Sequence, residues 1–147
     1  MPRFIAVLLA LLLPVLTHAA GVQTRQLSDT VSVQYAAFNA TELPSEVAMS
    51  VGLVRDGSMG AVQVIPLANG EPLLSSLVRG KMRSQSGDST DLEFVRVADT
   101  VNRQDTVSFV AIFPLPDRGL VNFELRLSSP KGSFTLEFGE EVLPAKQ

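Results

Sequence analysis

Alternation of apolar and polar residues dominates the chain from Val31 onward. Val31, Val33 and Tyr35 are separated by Ser32 and Gln34, the period of two that turns one strand face to a core and the other to water. The pattern is clearest near the end. Val121, Phe123, Leu125 and Leu127 alternate with Asn122, Glu124, Arg126 and Ser128, and Phe134, Leu136 and Phe138 alternate with Thr135, Glu137 and Gly139. Pro130-Lys131-Gly132 between the two runs predicts a hairpin. Ala61–Leu67, Leu73–Arg83, Leu92–Ala98 and Val107–Phe113 read as further strands. Asn69-Gly70 tolerates positive φ and predicts a tight turn between the first two of these. Ser75, Ser76 and Gly80 predict a bulge or bend in Leu73–Arg83. Ser84–Asp91 and Asp99–Asp105 read as polar loops, and Asp117-Arg118-Gly119 as a turn. Val107–Phe113 is apolar on both faces, as a central strand would be, and Pro114 and Pro116 stop it.

One helix interrupts the strands. Pro44 suits a first helical turn, Glu46 meets the positive end of the helix dipole, Val47 and Val51 share a face four residues apart, and Gly52 ends the run. The expected fold is all-β: an immunoglobulin-like antiparallel β-sandwich of about seven to eight strands with one short helix. A small closed barrel satisfies the same periodicity. No repeat or linker divides residues 20–147, which read as a single domain.

The first stretch follows a different pattern. Arg3 precedes an unbroken apolar run from Phe4 to Leu16, and Thr17-His18-Ala19-Ala20 follows. These are the three parts of a secretory signal peptide over residues 1–19, with cleavage after Ala19 or after Ala20. The apolar run is shorter than the ~20 residues a membrane span needs. Cysteine is absent from the chain, so no lipid-bearing cysteine follows the cut and the expected product is soluble, periplasmic and not a lipoprotein. About 127 residues then remain, enough to bury a core without disulfides.

Removal of the signal also changes the chemistry. The 46% apolar share is inflated by the signal, and loss of Arg3 moves the formal charge from −3 to about −4. That balance argues against nucleic acid and anionic membrane as partners. His18 is the only histidine and leaves with the signal. A chain without histidine or cysteine lacks the Ser-His-Asp and Cys-His arrangements, the usual general base at neutral pH, and the customary zinc and copper ligands. Asp88, Asp91 and Glu93, or Glu140 and Glu141, are the nearest approach to a paired-carboxylate site, but no tryptophan accompanies them to line a cleft. Asp88 and Asp91 in one loop, with Asp99 and Asp105 bounding the next, are the candidate oxygen ligands for calcium, although no calcium-loop pattern surrounds them. Arg79, Lys81 and Arg83 share one strand face and read as a solvated face or a guarded sheet edge. Asn39-Ala40-Thr41 matches a glycan acceptor triplet by chance.

The run Val33-Gln34-Tyr35-Ala36-Ala37-Phe38-Asn39-Ala40-Thr41, followed by Leu43-Pro44-Ser45-Glu46-Val47-Ala48 and Gly52-Leu53-Val54-Arg55, resembles the signature of the proteobacterial periplasmic family called domain of unknown function 4426. Weaker agreement at Leu92-Glu93-Phe94, at Phe113 and at Leu136-Glu137-Phe138 extends the resemblance over essentially the whole mature chain. The chain departs from the family at Ala36, where a polar residue is commoner, and lacks the usual aromatic at its carboxy end. The resemblance implies an exported Gram-negative protein and no catalytic residue. Tyr35, Asn39, Thr41 and Arg55 are the candidate binding residues; the other reading is that the signature specifies a strand-to-helix corner. The expected function is a non-enzymatic binding or protein-interaction module without a cofactor, engaging another periplasmic protein. The alternative is calcium or small-molecule binding through carboxylates and other oxygens.

Overall fold

The computed structural model describes residues 21–116 and 120–144, so the signal segment and the Asp117-Arg118-Gly119 turn lie outside the described residues. Among the described residues ten strands run in chain order: β1 (Gln23–Gln26), β2 (Val31–Asn39), β3 (Met59–Ala68), β4 (Glu71–Pro72), β5 (Leu77–Ser84), β6 (Ser89–Leu92), β7 (Val95–Val101), β8 (Gln104–Pro114), β9 (Leu120–Ser129) and β10 (Gly132–Glu141). A 3-10 turn (Ala40–Glu42) and one helix, α1 (Ser45–Val51), separate β2 from β3. The strands form two antiparallel sheets. Sheet A has the order β1-β2-β3-β8-β7, with β4 paired to β3, and sheet B has the order β10-β9-β5-β6. Neither sheet closes on itself, so the fold is a sandwich and not a barrel.

Inward residues of both sheets make the core. Val31, Val33, Val62, Val64, Phe109 and Phe113 of sheet A meet Val78, Met82, Val121, Phe123, Leu125 and Leu136 of sheet B. An aromatic chain crosses this layer: Phe113 meets Phe123 edge-on at 5.3 Å, Phe123 stacks on Phe138 at 4.8 Å, and Phe138 meets Tyr35 at 4.4 Å. A second cluster lies on the far side of sheet A, where Leu43, Ala48 and Val47 cover Phe38, Val97 and Val110. This explains the two apolar faces of β8. Val107, Phe109, Ala111 and Phe113 face the sandwich, and Val110 faces the helix.

Several boundaries differ from the sequence reading. The Asn69-Gly70 turn forms, with φ of 52° and 79°, but the returning strand is only the two-residue β4. The chain then crosses to sheet B, and the predicted Leu73–Arg83 strand begins at Leu77. The loop Ser84–Asp91 contains β6 from Ser89, and the predicted Leu92–Ala98 strand breaks at Glu93-Phe94, where the chain passes from sheet B to sheet A. Asp99 and Asp105 belong to strands, because Asn102 and Arg103 at φ of 51° and 64° make a two-residue turn by themselves. β1 was not foreseen, since Gln23-Thr24-Arg25-Gln26 is exposed throughout and has no apolar face to reveal it.

Candidate functional site

Asn39, Thr41 and Arg55 meet at one end of the sandwich. Asn39 ends β2 and caps the 3-10 turn: its Oδ1 accepts from the Thr41 N–H at 2.9 Å and from Thr41 Oγ1 at 2.7 Å, and Glu42 Oε2 accepts from the Asn39 N–H at 3.1 Å. Asn39 Nδ2 donates to the carbonyls of Gly57 at 2.9 Å and Leu143 at 3.0 Å. One buried amide thus ties together three segments distant in sequence, and its donors and acceptor are committed internally. Arg55 Nη2 donates to the Thr41 carbonyl at 2.7 Å. Tyr35 stands apart from this group, four residues back along β2, or ~13 Å of strand. Its Oη donates to Gln23 Oε1 at 3.0 Å and accepts from Arg25 Nη2 at 3.2 Å. The first three candidates are therefore one structural unit, and Tyr35 belongs to another.

The four aspartates are not gathered. Asp88 and Asp91 lie on the β5–β6 hairpin of sheet B, and Asp99 and Asp105 on the β7–β8 hairpin of sheet A. Asp88 accepts from Ser86 Oγ at 3.2 Å, Asp99 from the Thr100 N–H at 2.7 Å, and Asp105 from Thr100 Oγ1 at 2.9 Å. Asp99 and Asp105 line a depression of about 240 Å³, with Arg96 also in its wall. Among the described residues no three acidic side chains come together at metal-binding distance. Asp56 is held below the usual carboxylate range by the Ser58 N–H and then the Ser58 hydroxyl, both at 2.8 Å, which makes it a turn-stabilising group.

The outer face of sheet B carries a concave surface that the sequence reading did not assemble. Helix α1 covers part of the outer face of sheet A, whereas the outer face of sheet B is open among the described residues. Strand register lines its side chains up in rows: Thr135, Arg126 and Arg79 in one, Glu137, Glu124, Lys81 and Asp91 in the next, and Gly139, Asn122, Arg83 and Ser89 in a third. Gly139 has no side chain at the edge, and a depression of about 420 Å³ opens there beside Asn122, Arg83, Lys81, Glu124 and Glu137. A second of about 340 Å³ lies across the Glu124–Lys81 row, toward Arg79, Arg126 and Thr135. Arg79 and Arg126 are direct cross-strand neighbours, as are Glu124 and Glu137. Such like-charge pairs are unfavourable in isolation. The period-two charges of β5, β9 and β10 were the legible signal; the order of the strands was not.

β10 is the outermost strand of this sheet. Arg25 Nη1 donates to the Glu137 carbonyl at 2.8 Å, which shows that Glu137 turns its main-chain oxygen away from β9. Antiparallel pairing alternates this orientation, so Ser133, Thr135 and Gly139 also direct their N–H and C=O groups to the open edge. Burial raises the carboxyl of Glu140 above the usual range; its inward parity is that of Leu136 and Phe138.

The family model described as "Domain of unknown function (DUF4426)" matches residues 25–144. A crystal structure of a DUF4426 family protein from Pseudomonas aeruginosa PAO1 superposes with a TM-score of 0.75 at 28% identity, covering 86% of this chain and 98% of that one. No curated protein matches.

Proposed function

The chain belongs to the DUF4426 family, and from that premise we propose that it is an exported, non-enzymatic interaction module acting in the periplasm of a Gram-negative bacterium. The observation that carries this reading is the pairing of a ten-residue edge strand, β10, with the open, charged outer face of sheet B beside it. Unpaired edges and open sheet faces are the parts of a sandwich through which partners are engaged. The compartment is supported by the signal-like segment 1–19 and by the lack of cysteine. The non-enzymatic reading is supported by the placement of His18, the one histidine, within that signal-like segment and by the mixed charge of the two sheet-B depressions, in which a general base would have to be a solvated carboxylate.

The test is site-specific photo-crosslinking in the native host, with a photoreactive residue at Ser133 on the β10 edge, at Asn122 on the outer face, or at Met49 on α1. A reproducible protein adduct from Ser133 or Asn122 but not from Met49 is the expected result. Absence of adducts at every position under native expression overturns the reading.

A further inference from the structure

We infer that the open edge of β10 accepts an extended segment of another protein as an added strand, and that this segment alternates basic with apolar residues. The inference rests on the interaction-module reading and names the partner's chemistry. The main-chain groups come first. Among the described residues, Ser133, Thr135 and Gly139 present N–H and C=O groups without partners along the edge, and the one side chain donating to this edge is Arg25, at the Glu137 oxygen. An incoming strand supplies its own N–H to that oxygen and displaces the guanidinium toward Tyr35, over whose ring it already sits at 5.6 Å.

Neighbouring side chains decide the sequence of the incoming strand. Its outward residues lie one strand spacing from Glu137 and two from Glu124, or ~5 and ~10 Å, whereas Lys81 is three spacings away, ~14 Å. With a screening length of ~8 Å at physiological salt, Glu137 and Glu141 on β10 itself outweigh Arg126, which like Glu124 is two spacings away, so the edge is net acidic and selects lysine or arginine. Inward residues of the incoming strand cover Phe134 and Phe138, which the core leaves only partly buried, and this favours apolar side chains. A second copy of β10 fits poorly, because it brings Glu137 and Glu141 against the same acidic column.

The experiment titrates a short peptide of alternating valine and lysine into the isotope-labelled exported chain and follows backbone amides by NMR. The expected result is perturbation and slowed exchange at Ser133, Thr135 and Gly139, abolished when the peptide nitrogens facing β10 are methylated. Replacing the peptide lysines by glutamates weakens binding roughly tenfold, and Glu137→Lys in the chain, which leaves the main chain unaltered, reverses that preference. Perturbations mapping elsewhere, equal binding of the methylated peptide, or no binding of the lysine peptide overturn the inference. If photo-crosslinking recovers a partner through Asn122 while the β10 amides stay unprotected, the inference fails and the module reading stands; if no position recovers a partner, both fail.

Discussion

Arg25 reaches from the edge of sheet A to the Glu137 carbonyl on the edge of sheet B, a contact of 2.8 Å between residues 112 apart in sequence. The same guanidinium donates to Tyr35 Oη and lies over the Tyr35 ring, which packs on Phe138. One exposed side chain thus closes the open side of the sandwich and occupies the middle of its longest sheet-B edge. This explains why a wholly polar β1 is worth keeping in the fold: its contribution is a position for Arg25, not burial.

Arg25→Ala removes two hydrogen bonds and a cation–π contact, each partly solvated. Stability is expected to fall by about 1–2 kcal/mol, read as a lower urea midpoint. With the edge unguarded, light scattering at high protein concentration is expected to rise relative to wild type.

Asn39 separates a structural from a recognition role. Asn39→Ala leaves the carbonyls of Gly57 and Leu143 and the Thr41 N–H without their partner, at a cost of about 2–4 kcal/mol. Asn39→Asp keeps the cap to Thr41 but sets a carboxylate against two carbonyl oxygens, so it also destabilises, and less so at acidic pH where the carboxyl is protonated. Chemical denaturation of both variants at two pH values checks the prediction.

How much was legible follows from the range of each signal. The inward residues of β2, β9 and β10 were readable because alternation is local, and Pro44, Glu46 and Gly52 mark α1 by end chemistry; Gly52 takes the left-handed conformation at φ 72°. The capping role of Asn39 was also within reach. Asn39 with Glu42 three residues on is the capping-box spacing, which gives the strand-to-helix corner its specific hydrogen bonds. Sheet order was beyond local reading: Arg79 meets Arg126, and Lys81 meets Glu124, only because β5 pairs with β9 across the intervening β6–β8 excursion. The separation of Tyr35 from Asn39 into two hydrogen-bonded units was out of local reach for a similar reason. The two share a strand face, yet their partners come from opposite ends of the chain.

Two glycines of sheet B predict opposite outcomes. A Cβ at position 80 would lie 2.5 Å from Leu125 Cδ2 and 2.6 Å from the Glu124 carbonyl, which is held in the β5–β9 pairing and cannot retreat. Gly80→Ala is expected to cost about 1–3 kcal/mol. A Cβ at position 139 meets Asn122 Oδ1 at 2.9 Å, the end of an exposed side chain that can rotate away. Gly139→Ala is expected to stay within about 0.5 kcal/mol of wild type. Thermal melts of the pair decide whether the Gly139 depression can be filled independently of folding.

Glu140 gives the fold a pH dependence of known sign. Burial raises its folded-state pKa above the ordinary glutamate range, so the folded chain holds this proton more tightly than the unfolded chain. Stability from this group is therefore greatest below that range and declines as pH rises through the folded pKa. Glu140→Gln removes the decline. The variant is expected to match wild type near pH ~3 and to exceed it at neutral pH by no more than about 0.5 kcal/mol, since the carboxylate keeps most of its water. Denaturation across this range checks the sign: a variant less stable than wild type at neutral pH would mean that the ionised carboxylate has a favourable partner in solution. Because Glu140 points inward beside the edge residues Gly139 and Glu141, its charge also resists deeper closure of the strand end, a role that charged inward residues take on exposed edges.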